Sequence, residues 1–199
     1  MNTKVTIAGV EFKNPVMTAS GTFGSGMEYG EFVDLNQLGA VVTKGVANIP
    51  WPGNPTPRVA EVYGGMLNSI GLQNPGIDVF IERDIPFLKK YDTRIIVNVC
   101  GKTIEEYLEV VERLADTDVD MLEINVSCPN VKEGGIALGQ EAECLSEITA
   151  AVKEAYLDLQ RVGGVPSYLF LLYLDKKKDA LGIDEALYVK IIRCLITFF

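Results

Sequence analysis

The sequence predicts an α/β fold with a parallel sheet, because short apolar strands alternate along the chain with helical segments. Strands are predicted over residues 15–19, 39–43, 95–99 and 121–128, and helices over 32–38, 76–90, 104–115 and 141–156. Polar side chains follow each strand. Since the carboxyl ends of parallel strands gather at one edge of a sheet, we expect these side chains to form one pocket.

The composition is that of one globular domain. The chain has 199 residues, 48% of them hydrophobic, and a formal net charge of −9. This acidic excess makes nucleic acid and anionic membranes poor partners. The first residues lack the apolar core of a secretion signal, and no apolar run approaches the roughly 20 residues of a membrane span. We therefore expect a cytoplasmic protein.

Histidine is absent, so any proton transfer would fall to Cys, Lys, Tyr, Ser or a carboxylate. The four cysteines are too widely spaced for a CxxC pair; they are Cys100, Cys128, Cys144 and Cys194. A zinc or iron–sulfur site within this chain is therefore not expected, and the thiols should be reduced in a cytoplasmic protein.

The first elements lead to two candidate binding segments. Residues 5–12 alternate around Ala8-Gly9 as a hairpin does, and the strand 15–19 then runs into the glycine-rich segment 20–26. Small residues after a strand let a ligand approach the backbone, although an ordinary turn has the same composition. The strand 39–43 ends in Lys44-Gly45, where the ammonium either meets an anion or extends to water.

The middle of the chain alternates between loops and regular elements. A proline-rich loop covers 48–57, and a second loop covers 64–76 and ends with Asn74 as a helix cap and Pro75 in the first turn. The helix 76–90 that follows is expected to break near Pro86. The strand 95–99 carries Asn98 near its end, and a capping box of Thr103 and Glu106 begins the next helix.

The strand 121–128 carries the strongest chemical signal. Its apolar residues give way to Asn125, Ser127 and Cys128, and Asn130 follows before a loop that contains Gly134-Gly135. A thiol at the end of a parallel strand is placed for catalysis. A buried, unreactive cysteine before a turn remains an equally good interpretation from spacing alone.

Five segments combine small, amide and basic residues in a fixed order; they are ASGTFG (19–24), TKG (43–45), NSIGLQNPG (68–76), NVCG (98–101) and EINVSCPNVKEGG (123–135). In this order and spacing they resemble the catalytic subunit of dihydroorotate dehydrogenase. The stretch GTFG-x-G-x-EYG and the loop NVK-x-GG make the chain more similar to the NAD-linked class 1B type. The resemblance covers about residues 4–155.

The resemblance implies an FMN-containing (β/α)8 TIM barrel, of which this chain carries the N-terminal half. It implies oxidation of (S)-dihydroorotate to orotate in pyrimidine biosynthesis, with hydride passing from C6 to flavin N5 and the C5 proton to Cys128. Electrons would pass on to NAD+ through a partner, an iron–sulfur flavoprotein subunit, in a heterotetramer.

The resemblance also implies the remaining site residues. The substrate would be bound by Lys44, Asn68, Ser69, Ile70, Gly71, Leu72 and Asn125. FMN would be bound by Ser20, Lys44, Gly45, Asn98 and Asn125. No metal site is implied.

After about residue 156 the resemblance is lost, so we expect a barrel portion over 1–156 and a divergent tail over 157–199. The run 165–174 suits a fifth strand but lacks the lysine that the family places there, and no recognisable FMN phosphate loop follows. A frameshift or a truncated reading frame would produce such a tail, as would a genuine shortened variant. Two other functions stay open: an inactive fragment or scaffold, and a dihydropyrimidine dehydrogenase-like flavin enzyme.

Overall fold

A computed structural model of the chain describes residues 2–7, 9–126, 142–161 and 170–172. Within these residues the strands are β1 (Val5–Ile7), β2 (Val10–Phe12), β3 (Ala40–Val42), β4 (Val59–Val62), β5 (Gly65–Asn68), β6 (Arg94–Val99), β7 (Met121–Ile124) and β8 (Phe170–Leu172). The α-helices are α1 (Gly76–Val79), α2 (Ile85–Leu88), α3 (Ile104–Ala115) and α4 (Ala142–Arg161). None of the helices in this part of the chain is long and apolar enough to cross a membrane.

The central sheet has the strand order β3-β6-β7-β8, and all its pairs are parallel. Helices join the strands in the βαβ manner, which confirms the predicted α/β class with a parallel sheet. The strand β8 lies inside the run 165–174 that the sequence predicted as a strand. Closure into an eight-stranded barrel concerns residues beyond those described and stays a prediction.

The two faces of the sheet are covered differently. Ile95, Val97 and Val99 of β6 pack in the large apolar core that includes Tyr107 and Val111 of α3. Residues of the opposite face pack against the β1–β2 hairpin in a smaller core of Val10, Phe12, Ala40, Val42, Ile96 and Met121. The hairpin covers only the first part of that face and does not reach the carboxyl ends of the strands.

The predicted strand 15–19 is reduced to a single parallel bridge between Met17 and Ala40. The Thr18 side chain takes the place of a continued backbone ladder. Its hydroxyl accepts a hydrogen bond from Val42 N at 2.8 Å and donates one to Val42 O at 3.1 Å. The segment therefore lies beside β3, although its pairing is too short to count as the predicted strand.

The prediction of a helix over 32–38 is wrong. Two short 3₁₀ turns, Tyr29–Glu31 and Leu35–Gln37, occupy this region instead. The Asp34 side chain accepts a hydrogen bond from the backbone N–H of Asn36 and begins the second turn. Asp34 is extended, with a ψ of 106°, so one continuous helix cannot pass through it.

The helix predicted over 76–90 forms as α1 and α2, joined by a π-helical turn over Phe80–Asp84. Pro86 lies in the first turn of α2 and has no N–H to donate, so the widened turn comes before it. Asn74 contributes to the start of α1 as predicted, since its Oδ1 accepts from Gly76 N at 3.0 Å. Pro75, however, lies at the cap position and not inside the first turn.

The antiparallel hairpin of β4 and β5 was not predicted, since the sequence analysis placed a loop over 64–76. Its large apolar side chains are exposed, which removes the burial pattern that usually reveals a strand; they are Val59, Val62, Tyr63, Met66 and Leu67. Gly64 has a φ of 77° and supplies the turn between the two strands.

The cap of α3 agrees with the sequence. Thr103 is the N-cap, and its side chain accepts a hydrogen bond from Glu106 N. The Glu106 carboxylate accepts from Lys102 N at 2.7 Å, so the returning bond reaches one residue before the cap. The helix α4 begins at the predicted position and extends to Arg161, beyond the predicted end at 156.

Candidate functional site

The face of the sheet that packs against the β1–β2 hairpin is called the inner face here. Beyond its apolar part, polar side chains continue this face. Along β6, Asn98 follows Ile96 at the two-residue spacing that keeps side chains on one face, and Glu123 follows Met121 in the same way along β7. Asn98 pairs in register with Glu123. The hairpin therefore covers the first layer of this face, and amide and carboxylate groups form the next.

These groups are joined by hydrogen bonds across neighbouring strands. The amide of Asn98 donates to the Glu123 carboxylate, and its Oδ1 accepts from Asn125 Nδ2 at 3.0 Å. Asn98 and Glu123 are both buried, at 2% and 5% exposed. The Tyr107 hydroxyl from α3 donates to Asn125 O at 2.5 Å, which fixes the backbone just after β7. These hydrogen bonds hold the side chains in fixed orientations.

Gly45 brings the end of β3 close to this network. A Cβ atom at Gly45 would lie 3.0 Å from Asn98 Oδ1, 3.2 Å from Leu72 Cδ1 and 3.3 Å from Cys100 Sγ. Any larger residue would therefore push against the amide network and against the loop that carries Leu72. Leu72 itself is buried and has a positive φ of 53°, a conformation that a leucine rarely adopts.

Lys44 lies beside the glycine-rich segment 20–26. A Cβ atom at Gly21 would lie 3.9 Å from Lys44 Nζ, with nothing closer, and Lys44 N donates to Gly24 O at 2.9 Å. The Lys44 side chain is half-buried. Its ammonium makes no hydrogen bond or ion pair with any residue that the structure describes. Ser20 directly precedes Gly21 and is also half-buried.

The predicted substrate loop, 68–72, has two ends in different surroundings. Leu72 packs with Ala47, Trp51 and Cys100 at the strand ends. Asn68 lies at the exposed end of β5, on the hairpin and not among the strand ends of the central sheet. The structure thus brings together the strand-end residues and Leu72. The assignment of any of them to a ligand stays a prediction.

Cys128 lies outside the described residues, as does the loop with Gly134-Gly135. The assignment of Cys128 as the base therefore rests on the sequence alone. The description of the inner face ends at Val126, two residues earlier.

Glu123 was not predicted as a site residue, although the motif EINVSCPN contains it. Its spacing from Asn125 supplied a usable signal, because alternate residues of a strand share a face. The analysis also passed over Asn54, whose Nδ2 donates to Ser69 O at 3.1 Å and to Ser69 Oγ at 2.9 Å.

The donor set at these strand ends suits the ring of FMN. A planar heterocycle with carbonyl and imide edges is bound by amides and a cation, and glycines allow it to lie against the backbone. Beside Lys44, a Cβ atom added at Gly21 would meet no heavy atom of the described residues within 4 Å other than Lys44 Nζ, so the backbone there is open to close approach.

Comparison with known proteins identifies the family. A sequence profile described as Dihydroorotate dehydrogenase matches residues 2–193. The catalytic subunit of dihydroorotate dehydrogenase B (NAD(+)) from Lachnoclostridium phytofermentans is 69% identical over 184 residues, 92% of this chain and 61% of that protein. The same subunit from Thermoanaerobacter pseudethanolicus is 58% identical over 154 residues, 77% of this chain and 51% of that protein.

The two alignments differ in how far they extend into the predicted tail, residues 157–199. The first alignment has 184 residues and so must continue past residue 156, whereas the second, of 154 residues, has about the length of the stretch 4–155. The chain spans 61% of the first relative's length and 51% of the second's.

A solved structure shows the same fold. The crystal structure of DHODH in complex with ferulenol from Eimeria tenella superposes with a TM-score of 0.69 at 23% identity, over 86% of this chain and 51% of that one. The parallel sheet and its helices thus have the arrangement of that protein. Because the profile matches almost the entire sequence, from residue 2 to residue 193, this chain belongs to the dihydroorotate dehydrogenase family.

Proposed function

We propose that this chain oxidises (S)-dihydroorotate to orotate with FMN as its cofactor, as a catalytic subunit of the NAD-linked type. Family membership supports the reaction class. The observation that carries the proposal is Lys44, a half-buried ammonium at the end of β3 with no partner among the described residues. A cation in that position favours an anionic ligand, because burial without one is unfavourable.

Orotate and dihydroorotate carry one carboxylate, which the Lys44 ammonium would bind as a charge-assisted hydrogen bond. Asn125 and Asn98 would contact the substrate ring and the flavin, since their amides stand on the same inner face of the sheet. Ser20 and Gly45 would contact the flavin from the ends of their segments. Asn68, Ser69, Ile70, Gly71 and Leu72 would form the substrate loop.

The reaction removes a hydride from C6 and a proton from C5 of the substrate. FMN, when bound, supplies the acceptor for the hydride and its two electrons. The Cys128 thiolate would take the C5 proton, and a cation nearby favours the thiolate form that this role needs. Lys44 and the asparagines would hold the ring so that both hydrogens face their acceptors.

Reduction of added FMN tests the proposal. With the full chain and excess FMN under anaerobic conditions, dihydroorotate should bleach the flavin absorbance, and orotate should appear in equal amount. Dihydrouracil serves as the matched substrate without the carboxylate. Bleaching by dihydrouracil alone would favour the dihydropyrimidine dehydrogenase-like alternative. No bleaching by either, with no orotate binding, would leave an inactive fragment or scaffold.

Transfer of the electrons to NAD+ would require a partner, the iron–sulfur flavoprotein subunit of a heterotetramer in the cytoplasm. The name "catalytic subunit" of the relatives supports a second subunit. Mixing the two purified chains should give NAD+ reduction by dihydroorotate and a shared gel-filtration peak. Separate peaks and no NADH would exclude this partner.

A further inference from the structure

Two loops run antiparallel above the strand ends and are joined along their length. Trp51 and Asn74 form an antiparallel bridge at one end. Ser69 N donates to Arg58 O at 2.8 Å at the other end. Asn54 lies between these two connections. The second loop contains residues 68–72, the segment to which the proposed function assigns substrate binding.

Asn54 makes three hydrogen bonds to that segment. Its backbone N–H donates to Ile70 O at 3.0 Å. Its Nδ2 donates to Ser69 O at 3.1 Å and to Ser69 Oγ at 2.9 Å. One side chain therefore satisfies two acceptors of the loop, while its own backbone satisfies a third.

The fit between the two loops depends on glycine. Gly71 has a φ of 75°, and a Cβ atom there would lie 2.6 Å from Asn54 N and 2.8 Å from Asn54 Cγ. A Cβ atom at Gly53 would lie 2.4 Å from Ile70 O. Such distances are shorter than any non-bonded contact tolerates, so the backbones pack directly on each other. The loop then leads to Leu72. A Cβ atom added at Gly45, just after β3, would lie 3.2 Å from Leu72 Cδ1.

We propose that Asn54 is a positioning residue that holds the 68–72 segment in its substrate-binding conformation, an inference that rests on the proposed function. The side-chain amide acts as a two-point donor, and its loss leaves the Ser69 carbonyl and hydroxyl without their partner. The segment then samples other conformations, and only part of the population is competent to bind the ligand.

Hydrogen exchange and orotate binding test this in the full chain. In Asn54→Ala, the amide protons of Ser69 and residue 54, which carry the backbone bonds between the loops, should exchange about tenfold faster or more. The orotate dissociation constant should rise by about 5- to 100-fold, the range expected for the loss of two net hydrogen bonds. Asn54→Asp should also accelerate exchange and weaken orotate binding, because a carboxylate keeps the shape but cannot donate to the Ser69 carbonyl.

Asn14→Ala is the matched control. Asn14 Nδ2 also donates to a backbone carbonyl, Gln37 O at 2.9 Å, but it lies near the N-terminal hairpin, away from the ligand end. This variant should leave loop exchange and orotate affinity unchanged. Unchanged exchange in Asn54→Ala, or an Asp variant that behaves like the unaltered protein, would overturn the proposal. Faster exchange with unaltered orotate affinity would overturn the positioning role.

Substitutions of Gly71 and Gly64 distinguish the effect of a steric contact from the effect of backbone strain. Gly71 and Gly64 have similar φ values of 75° and 77°, but nothing lies within 4 Å of a Cβ atom at Gly64. Gly71→Ala should therefore accelerate exchange in both loops, while Gly64→Ala should not. Equal effects of the two substitutions would contradict the close packing on Asn54. If the unaltered protein binds no orotate, the proposed function fails, whereas exchange still decides whether Asn54 holds the loop.

Discussion

The amide of Asn98 donates a hydrogen bond to the carboxylate of Glu123, and the two residues pair in register across β6 and β7. Both side chains are buried on the inner face of the sheet. Asn98 also accepts from Asn125, so the carboxylate orients an amide that in turn orients a second amide. The orientation of both predicted ligand-binding asparagines thus depends on Glu123.

Glu123→Ala should lower the free energy of unfolding by about 1–3 kcal/mol, because it leaves the buried amide of Asn98 without its acceptor. Chemical denaturation measures this change, and orotate and FMN affinities should fall with it. Glu112→Ala, at an exposed position on α3, is the control and should change stability by less than about 0.5 kcal/mol. Equal effects of the two substitutions would remove Glu123 from the network.

Lys44→Ala should weaken orotate binding by about 10- to 100-fold, which is the loss expected for one charge-assisted hydrogen bond. The stability of the fold should change little, because the ammonium has no partner among the described residues. Isothermal titration and thermal unfolding measure the two quantities. Lys4→Ala, which breaks an exposed pair with Glu11, controls for net charge. A large stability loss with unchanged orotate affinity would assign Lys44 a structural role.

FMN should be held weakly, because no recognisable glycine-rich phosphate turn follows residue 156 in the sequence. Protein loaded with FMN should therefore lose most of it during gel filtration. The flavin-to-protein ratio of the eluted peak, read from its absorbance, measures the retention. A stoichiometric ratio would show that residues after 156 complete the phosphate site.

Cys128→Ser should slow flavin reduction by a factor on the order of 10²–10⁴, the usual contribution of a general base, while orotate still binds. Anaerobic stopped-flow mixing of the FMN-loaded chain with dihydroorotate gives this rate. Cys144→Ser makes the same chemical change on α4 and should leave the rate unaltered. An unchanged rate in Cys128→Ser would show that this thiol is not the base.

Asp84→Ala should lower the free energy of unfolding by about 1–3 kcal/mol. Asp84 is 1% exposed and accepts hydrogen bonds from Ser25 Oγ and from Arg83 Nε, both at 2.6 Å. The bond from Arg83 also raises the pKa of that guanidinium. Asp118→Ala, which breaks an exposed pair with Lys89, should cost less than about 1 kcal/mol in the same denaturation experiment. Similar losses of stability in both variants would show that the hydrogen bond between Asp84 of the π-helical turn and Ser25 of the glycine-rich segment does not stabilise the fold.

The sequence predicted the strands of the central sheet, because burial on both faces makes them short continuous apolar runs. It also predicted the helix α3, because burial on one side imposes a helical period. It missed the hairpin of β4 and β5, where Val59 and Met66 are exposed and no buried face constrains the order of residues. It also extended a helix through Asp34, since the capping bond of that side chain depends on local geometry.

The sequence also predicted part of the candidate site. Strand-end positions such as Lys44, Asn98 and Asn125 could be read from the sequence, because the end of a parallel strand fixes their location. Glu123 was not predicted, although its two-residue spacing from Asn125 places both side chains on one face of the sheet. Asn54 carries no such signal, because its significance comes from a contact with Ser69, which it meets only in the folded chain.

The N-terminal hairpin separates the inner face of the sheet into two regions with different tolerance to change. Val10 and Phe12 seal the amino-terminal region with close-packed apolar contacts, where a change in side-chain volume acts on folding. The polar region at the other end contributes few such contacts. Combinatorial libraries at Ser20 and Lys44, which are only half-buried, should therefore yield mostly folded variants, and selection for new ligands could proceed without a compensating search for stability.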